Sequence, residues 1–321
     1  MSHEIDFSNE RANVAYVGEA PWHGLGHRLE PGQSTEVWAR EAGFMWKAQK
    51  SPVEFLVEGE GTFFRRYPEK QVVYRDDTNI PLGVVGSTYN IVQPMEVLEF
   101  FREYTEAGDL QMETAGCLAG GRRLWALAKM GEDIELMGDK ISPYLLLATS
   151  MDGSMATRAQ FTSVRVVCQN TLSLSVNRQS ESSVRVTHSQ KFNPDVVKRD
   201  LGIGRAAWAR FTVAAGALAQ RKVTDEEATA WVNRVVGTIM KDGVEESARP
   251  RTAAQVLEAI RTSPGADMES SRDTAWGLVN GLTYWVDHVQ GRSSDSRLNS
   301  AWFGDGASLK TKALSAALQL A

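Results

Sequence analysis

Cysteine is scarce in this chain: 321 residues carry two, Cys117 and Cys168. Two thiols give a disulfide framework or a zinc ribbon nothing to build on, and they fit a reducing compartment. Long apolar runs are missing as well, so no stretch is predicted to span a bilayer. The segment "MSHEIDFSNERANVAYVGEA" lacks the basic start and apolar core of a signal peptide, and an intracellular, cytoplasmic protein is expected. The sequence has no GxxxxGK[ST], no G-x-S-x-G and no HExxH. P-loop, hydrolase-elbow and zinc-protease readings therefore lose their motifs, and no cofactor is expected.

What is present is a core-forming composition with an uneven charge. Hydrophobic residues make up 42% of the chain, enough to supply a real core and to argue against disorder. Residues 1–150 hold 14 Lys/Arg against 23 Asp/Glu, a net of −9. Residues 151–222 hold 11 against 4, a net of +7, and residues 223–321 hold 10 against 13, a net of −3. A basic middle between acidic flanks has two readings: a surface facing a polyanion, or a solvated face pairing with the flanks.

Local patterns point to an α+β fold. "QSTEVWAREAG" reads as a helix capped by Ser34 or Thr35, with Gly43 after its last turn. "FMWKAQKSPVEFLVEG" and "KQVVYRDDTNIPLGVVG" read as strands broken at Ser51-Pro52, Glu60-Gly61 and Asp76–Asn79. "QPMEVLEFFREYTEAGD" sets Val97, Phe101 and Tyr104 at helical spacing. Two hairpins follow, turning at Gly120-Gly121 and Asp152-Gly153. Beyond residue 195 the pattern becomes helical. Trp208, Phe211, Ala215 and Leu218 form one stripe; Trp231, Val235 and Ile239 form a second, behind a capping box from Thr224 to Glu227. Leu278, Leu282, Trp285 and Val289 form a third, with "ESARPRTAAQ" and "RTSPGADMESS" as breaks between helices. The expected division is an α+β core with an antiparallel sheet over 1–190 and a mostly helical region over 191–321.

Candidate catalytic residues are few. His23 and His27 stand four apart, but Gly24 and Gly26 between them discourage a helix and no third ligand is near, so a turn anchored by Trp22 is expected and no metal site. Asp76, Asp77 and Asp152 fall in turns, where aspartate bonds to the turn backbone. Asp287 and His288 are adjacent on a helix and so do not face each other. Cys168 reads as a buried thiol ending a strand, and no catalytic residue is nominated.

The arginines carry the functional expectation. In "ATRAQFTSVRVVCQNTLSLSVNR" the alternation turns Arg165 away from the core face, and Arg158 is expected to do likewise from the strand before it, beside Ala156 and Gln160. Arg122, Arg123, Arg158, Arg165, Arg178 and Arg185 come from consecutive expected strands or their ends, and Lys310 with Lys312 in "SLKTKAL" adds to them. Single-strand recognition needs such a cationic track plus planar groups on which bases stack. Trp125 and Phe161 are candidate platforms, with core burial as the competing reading. Gln169 and Asn170 either cap a helix at 171–177 or contact a ligand, capping being the stronger reading.

Four stretches also carry a resemblance: "PWHGLGHRL", "VVYRDDTNIPLGVVGSTYNIVQP", "SMDGSMATRAQFTSVRVVCQNTLSLSV" and "TAWGLVNGLTYWVDHVQGR" with its continuation "LNSAWFGDGASLKTKAL". Together they resemble the phage/plasmid-like protein family, known mainly as a domain of unknown function. The resemblance implies a mobile-element protein in a bacterial cytoplasm and transfers no active site. In outline, helix then hairpins then helix is similar to the core of phage single-strand annealing proteins, which need no nucleotide. The expectation is a non-enzymatic protein that binds single-stranded DNA and anneals strands as an oligomer or ring. Two other classes stay open: a host-directed interaction factor, and an uncharacterised enzyme using Asp152, His288 or the His23/His27 pair.

Overall fold

A computed structural model describes residues 5–8, 11–18, 25–58, 61–107, 110–165, 170–173, 183–201, 204–241, 244–291, 297, 300–302 and 304–321. In chain order these form β1 (Phe7–Ser8), β2 (Arg11–Ala12), β3 (Val14–Val17), β4 (His27–Leu29), α1 (Thr35–Glu41), β5 (Ala48–Val57), β6 (Phe63–Arg75), β7 (Pro81–Gly86) and α2 (Pro94–Glu106). The central hairpins are β8 (Leu110–Leu118) with β9 (Arg123–Met130), and β11 (Asp139–Ser150) with β12 (Thr157–Arg165); β10 (Ile134–Leu136) lies between them. Next come β13 (Asn170–Ser173), β14 (Ser183–Val186), α3 (Pro194–Leu201), α4 (Gly204–Gln220), α5 (Asp225–Val236), β15 (Thr238–Lys241) and β16 (Val244–Ser247). Helices α6 (Pro250–Thr262), α7 (Ala275–Tyr284) and α8 (Asp305–Ala317) follow, with a π-helical turn at Trp285–Val289 after α7. The fold class is α+β.

The main sheet runs β13-β12-β11-β9-β8-β3-β4, with β10 extending the β9 edge of β11 and β14 extending the β13 edge of β12. Its pairs are antiparallel except β3 with β4. One face, including Ala115, Ala126, Leu145, Leu147 and Phe161, joins α2, α4 and α7 in the large core. The other face, including Val14, Trp125, Leu127, Leu146 and Ala148, forms a smaller cluster under Trp302. Residues on both sides of position 190 share the large core. Asp139 at the start of β11 ties them polar to polar, accepting from Trp276 Nε1 at 3.1 Å and Ser270 Oγ at 3.2 Å. A second sheet, β5-β6-β7, packs its base into the core through Ala48, Val73, Leu82 and Val85. Gly83 meets the turn of the β11–β12 hairpin so closely that a Cβ there would lie 2.6 Å from the Cα of Asp152.

Several local expectations hold in detail. Ser34 Oγ accepts from Val37 N at the start of α1, and Thr224 with Glu227 closes a capping box on α5. Others are corrected. β5 runs unbroken through Ser51-Pro52 with a register shift there, because proline is tolerated on an edge strand and at a bulge. Residues 170–173 are a strand where a helix at 171–177 was expected, since they find a ladder partner in β12. Gly237, at φ 113°, ends α5, so Ile239 falls on β15. The π-helical turn shifts the third stripe and leaves Val289 exposed while Trp285 stays buried. The break at "ESARPRTAAQ" is a helix start, Pro250 taking the first position of α6, where a missing N–H costs nothing.

Candidate nucleic-acid interface

The smaller face of the main sheet changes character across its width. Along one row of directly opposed residues it reads Trp125 on β9, Ala148 on β11, Arg158 on β12 and Arg185 on β14. The next row reads Leu127, Leu146, Gln160 and Ser183. Helix α8 and Trp302 cover the apolar end, Trp302 meeting Trp125 edge-on at 5.4 Å. Between α8 and the polar end lies a cleft of about 200 Å3, lined by Arg158, Gln160, Thr162, Ser183, Ser308 and Thr311 among others. Arg123 belongs to the same face, two residues from Trp125 on β9 and opposite Ser150.

Arg158 and Arg185 are the unusual pair. They sit directly opposite each other on adjacent strands, an arrangement that like charges destabilise. Arg158 is half-buried and its Nε, fully shielded from solvent, has no hydrogen-bond partner. Burial first, and the charge of Arg185 second, push the Arg158 guanidinium below its ordinary pKa. Among the described residues no carboxylate pairs with either arginine. Arg185 is exposed and also lines a neighbouring pocket with Lys70, Asp152, Tyr89 and His188. An anion placed between the two guanidiniums would offset both the repulsion and the desolvation through charge-assisted hydrogen bonds.

The other nominated residues are placed differently. Arg122 is exposed at the end of the turn that follows β8, and its carbonyl accepts from Met151 N at 2.7 Å. Arg123 donates to Ser154 Oγ at 3.3 Å, anchoring the β11–β12 turn. Arg165 shares β12 with Arg158 rather than lying on the next strand. The separation of seven is odd, so the strand's period of two does not put positions 158 and 165 on one face. Arg178, Gln169 and Cys168 lie outside the described residues.

The two lysines are engaged within the chain, Lys310 at the wall of the same cleft as Arg158. Lys310 is buried and donates to Asp287 Oδ1 at 2.7 Å, the two side chains being 5% and 7% exposed. Burial pushes the Lys310 ammonium below its ordinary pKa, and Asp287 opposes that shift. Lys312 reaches Arg234 O at 3.0 Å and Val235 O at 2.7 Å, where its charge meets the negative end of α5. One ammonium is thus held by a buried carboxylate and the other by the last carbonyls of a helix. Trp125 and Phe161 are core residues on opposite faces of the sheet.

A family comparison decides the kinship, its model matching residues 81–302. The chain belongs to the family described as Domain of unknown function (DUF932). A search of the curated proteins and of the solved structures found no match to it. Within the DUF932 segment lie Arg123, Arg158 and Arg185 of the basic face.

Other polar groups of this DUF932 chain are committed to structure. Asp152 Oδ1 accepts from Ser154 N at 2.9 Å, as an aspartate in a turn does. His27 Nδ1 lies 3.2 Å from Arg11 Nη2, and His23 is outside the described residues. The buried Cys117 thiol is held well above its ordinary pKa by burial. Among the described residues no group of three His, Cys, Asp or Glu side chains could hold a metal ion, and no helix is long and apolar enough to cross a membrane.

Sequence patterns missed two features. One is His188, stacked on Tyr89 at 4.2 Å, with Nδ1 2.7 Å from Asn90 O and Nε2 3.1 Å from Met155 O. It ties the stretch after β14 to the loop between β7 and α2 and to the β11–β12 turn, and a lone histidine in "RVTHSQ" carries no local signal of this. The other is a set of exposed aromatics, Phe55, Phe63, Phe64 and Tyr67, on the outer half of β5 and β6. The run "FFRRY" was their signal, since doubled aromatics beside doubled arginines suit neither face of a packed strand.

Proposed function

We propose that the chain is a non-enzymatic binder of single-stranded DNA that grips phosphates on the polar end of the smaller sheet face. The carrying observation is the Arg158–Arg185 pair, opposed across two strands with no carboxylate pairing with either among the described residues, at the mouth of a cleft lined by hydroxyls and an amide. Arg123 extends the cationic face in one direction and Lys70 beside Arg185 in the other. The basic middle of the chain, net +7 over 151–222, supports an anionic partner. The resemblance to phage and plasmid proteins supports a mobile-element role in a bacterial cytoplasm, with strand annealing as the activity such binding would serve.

The test is fluorescence anisotropy with a labelled, unstructured oligonucleotide and nuclease-treated protein, beside a duplex of equal length and across a salt series. Preference for the single strand with steep loss in salt is expected. Arg158→Ala combined with Arg185→Ala should weaken binding by about tenfold or more and reduce the salt slope by about 1.4, two single-strand phosphate contacts. A folded double variant with the affinity and slope of the parent would remove this pair, and the reading with it.

A further inference from the structure

The second sheet ends in an arm. Residues 53–57 of β5 and 63–67 of β6 pair with each other beyond the reach of β7, which pairs only with residues 70–74 of β6. Their side chains stand in solvent: Phe55, Leu56 and Phe63 are each 48% exposed and Phe64 is 69% exposed. A two-stranded ribbon that packs on nothing is marginally stable in water, and a long apolar edge is a template for another strand. The outer edge of β5 has no strand beside it among the described residues.

Charge selects the kind of partner. Residues 53–67 carry Arg65 and Arg66 against Glu54, Glu58 and Glu60, so the arm is weakly acidic and offers a polyanion no net attraction. Its charges are also ordered. On β5, Lys50 stands at the base, the apolar run Val53–Val57 is interrupted by Glu54 alone, and Glu58 stands at the tip. A second β5 laid antiparallel about Phe55 would set Glu58 of each copy opposite Pro52 of the other, diagonal to Lys50, whose Nζ also donates to the carbonyl of Tyr89 in its own chain, while the apolar middles meet. With the two-fold axis at Phe55, Glu54 faces Leu56 of the other copy and not its own counterpart, so no like charges are opposed.

We propose that the outer edge of β5 is a self-association surface, on which two copies of this chain join arms into a four-stranded ribbon. Across the shared sheet Phe55 stands beside its counterpart, and Arg65, opposite Phe55 on β6, closes each side with its guanidinium 5.5 Å from the Phe63 ring. The proposal does not depend on nucleic-acid binding by the basic face, and its first measurement, self-association of nuclease-treated protein, contains no nucleic acid.

Sedimentation velocity on the nuclease-treated full chain, from about 1 to 100 µM, should show a concentration-dependent dimer or a larger species built from it. Phe55→Lys with Leu56→Lys places two charges on the open edge and should raise the dissociation constant by at least about tenfold. Both sites are exposed, so the circular dichroism and melting temperature of the variant should match the parent. A separate variant, Phe55→Cys, should cross-link to itself under mild oxidation, since the axis sets the two positions side by side. A parent chain that stays monomeric to 100 µM would overturn the proposal, and so would a dimer indifferent to the two lysines. A monomeric parent whose lysine variant gains or loses oligonucleotide affinity would make the arm a nucleic-acid surface instead, which also overturns it.

Discussion

Strand β11 and the arm of β5 and β6 are built from similar residues and meet opposite fates. From Ile141 to Ser150, "ISPYLLLATS" is buried at every position, one face in the large core and the other in the smaller cluster. In the arm, "VEFLV" and "FFRRY" carry comparable apolar content but insert Glu54, Arg65 and Arg66 and remain open on both faces. A continuous apolar strand can be covered twice, and here helices cover one side and Trp302 with α8 help cover the other. A strand that mixes charge onto each face resists such cover, so its apolar groups are left for another molecule. Hydrophobicity alone did not separate the two; neighbours did.

Breaking the covered side should cost most where a charge is stranded. Lys310→Met leaves Asp287 buried without its cation, and a loss of about 3–5 kcal/mol is expected in urea unfolding. Adding Asp287→Leu should return much of that loss, and a double variant no better than the single would count against the ion pair as the cause. Leu147→Ala, in the fully buried stretch of β11, should cost about 2–5 kcal/mol by the same measurement. Phe64→Ser in the arm of the monomer should fall within about 0.5 kcal/mol of the parent. Similar losses at Leu147 and Phe64 would erase the contrast.

His188 sharpens it through pH, because the ring bridges the loop after β7 and the β11–β12 turn. Two carbonyls face its nitrogens, and a neutral ring has one N–H to give them. Those carbonyls and nearby Asp152 favour the imidazolium, yet burial against Tyr89 outweighs them and the pKa lies below its ordinary 6.5. The folded state then binds fewer protons than the unfolded one, so stability is full above about 6.5 and falls as pH drops toward the folded value. Melting temperatures from pH 7.5 to 5 should decline in that window, and His188→Gln should flatten the decline. An equal slope in the variant would assign the effect to other groups.

Much of the fold was legible because its signals are local. Glycine and aspartate pairs mark the hairpin turns at 120–121 and 152–153; Ser34 and Thr224 mark helix starts; Trp208, Phe211, Ala215 and Leu218 repeat with the helical period. Where two periods overlap, reading fails. Ile239 continues a stripe on paper, but Gly237 had already ended the helix. Of the candidate site, the presence of arginines could be read and their companionship could not. Arg158 and Arg165 look alike in sequence, and strand parity separates them.

Sequence by itself determined the α+β class, the central hairpins and the basic middle of the chain, since turn chemistry, periodicity and charge act over a few residues. Tertiary structure alone decided that Arg158 would face Arg185, that Lys310 would be buried on Asp287 while Lys312 capped α5, and that Phe64 would stand in water. Each of those outcomes depends on which distant strand or helix arrives as neighbour. Desolvation and pairing are set by that arrival, and no window along the chain contains it.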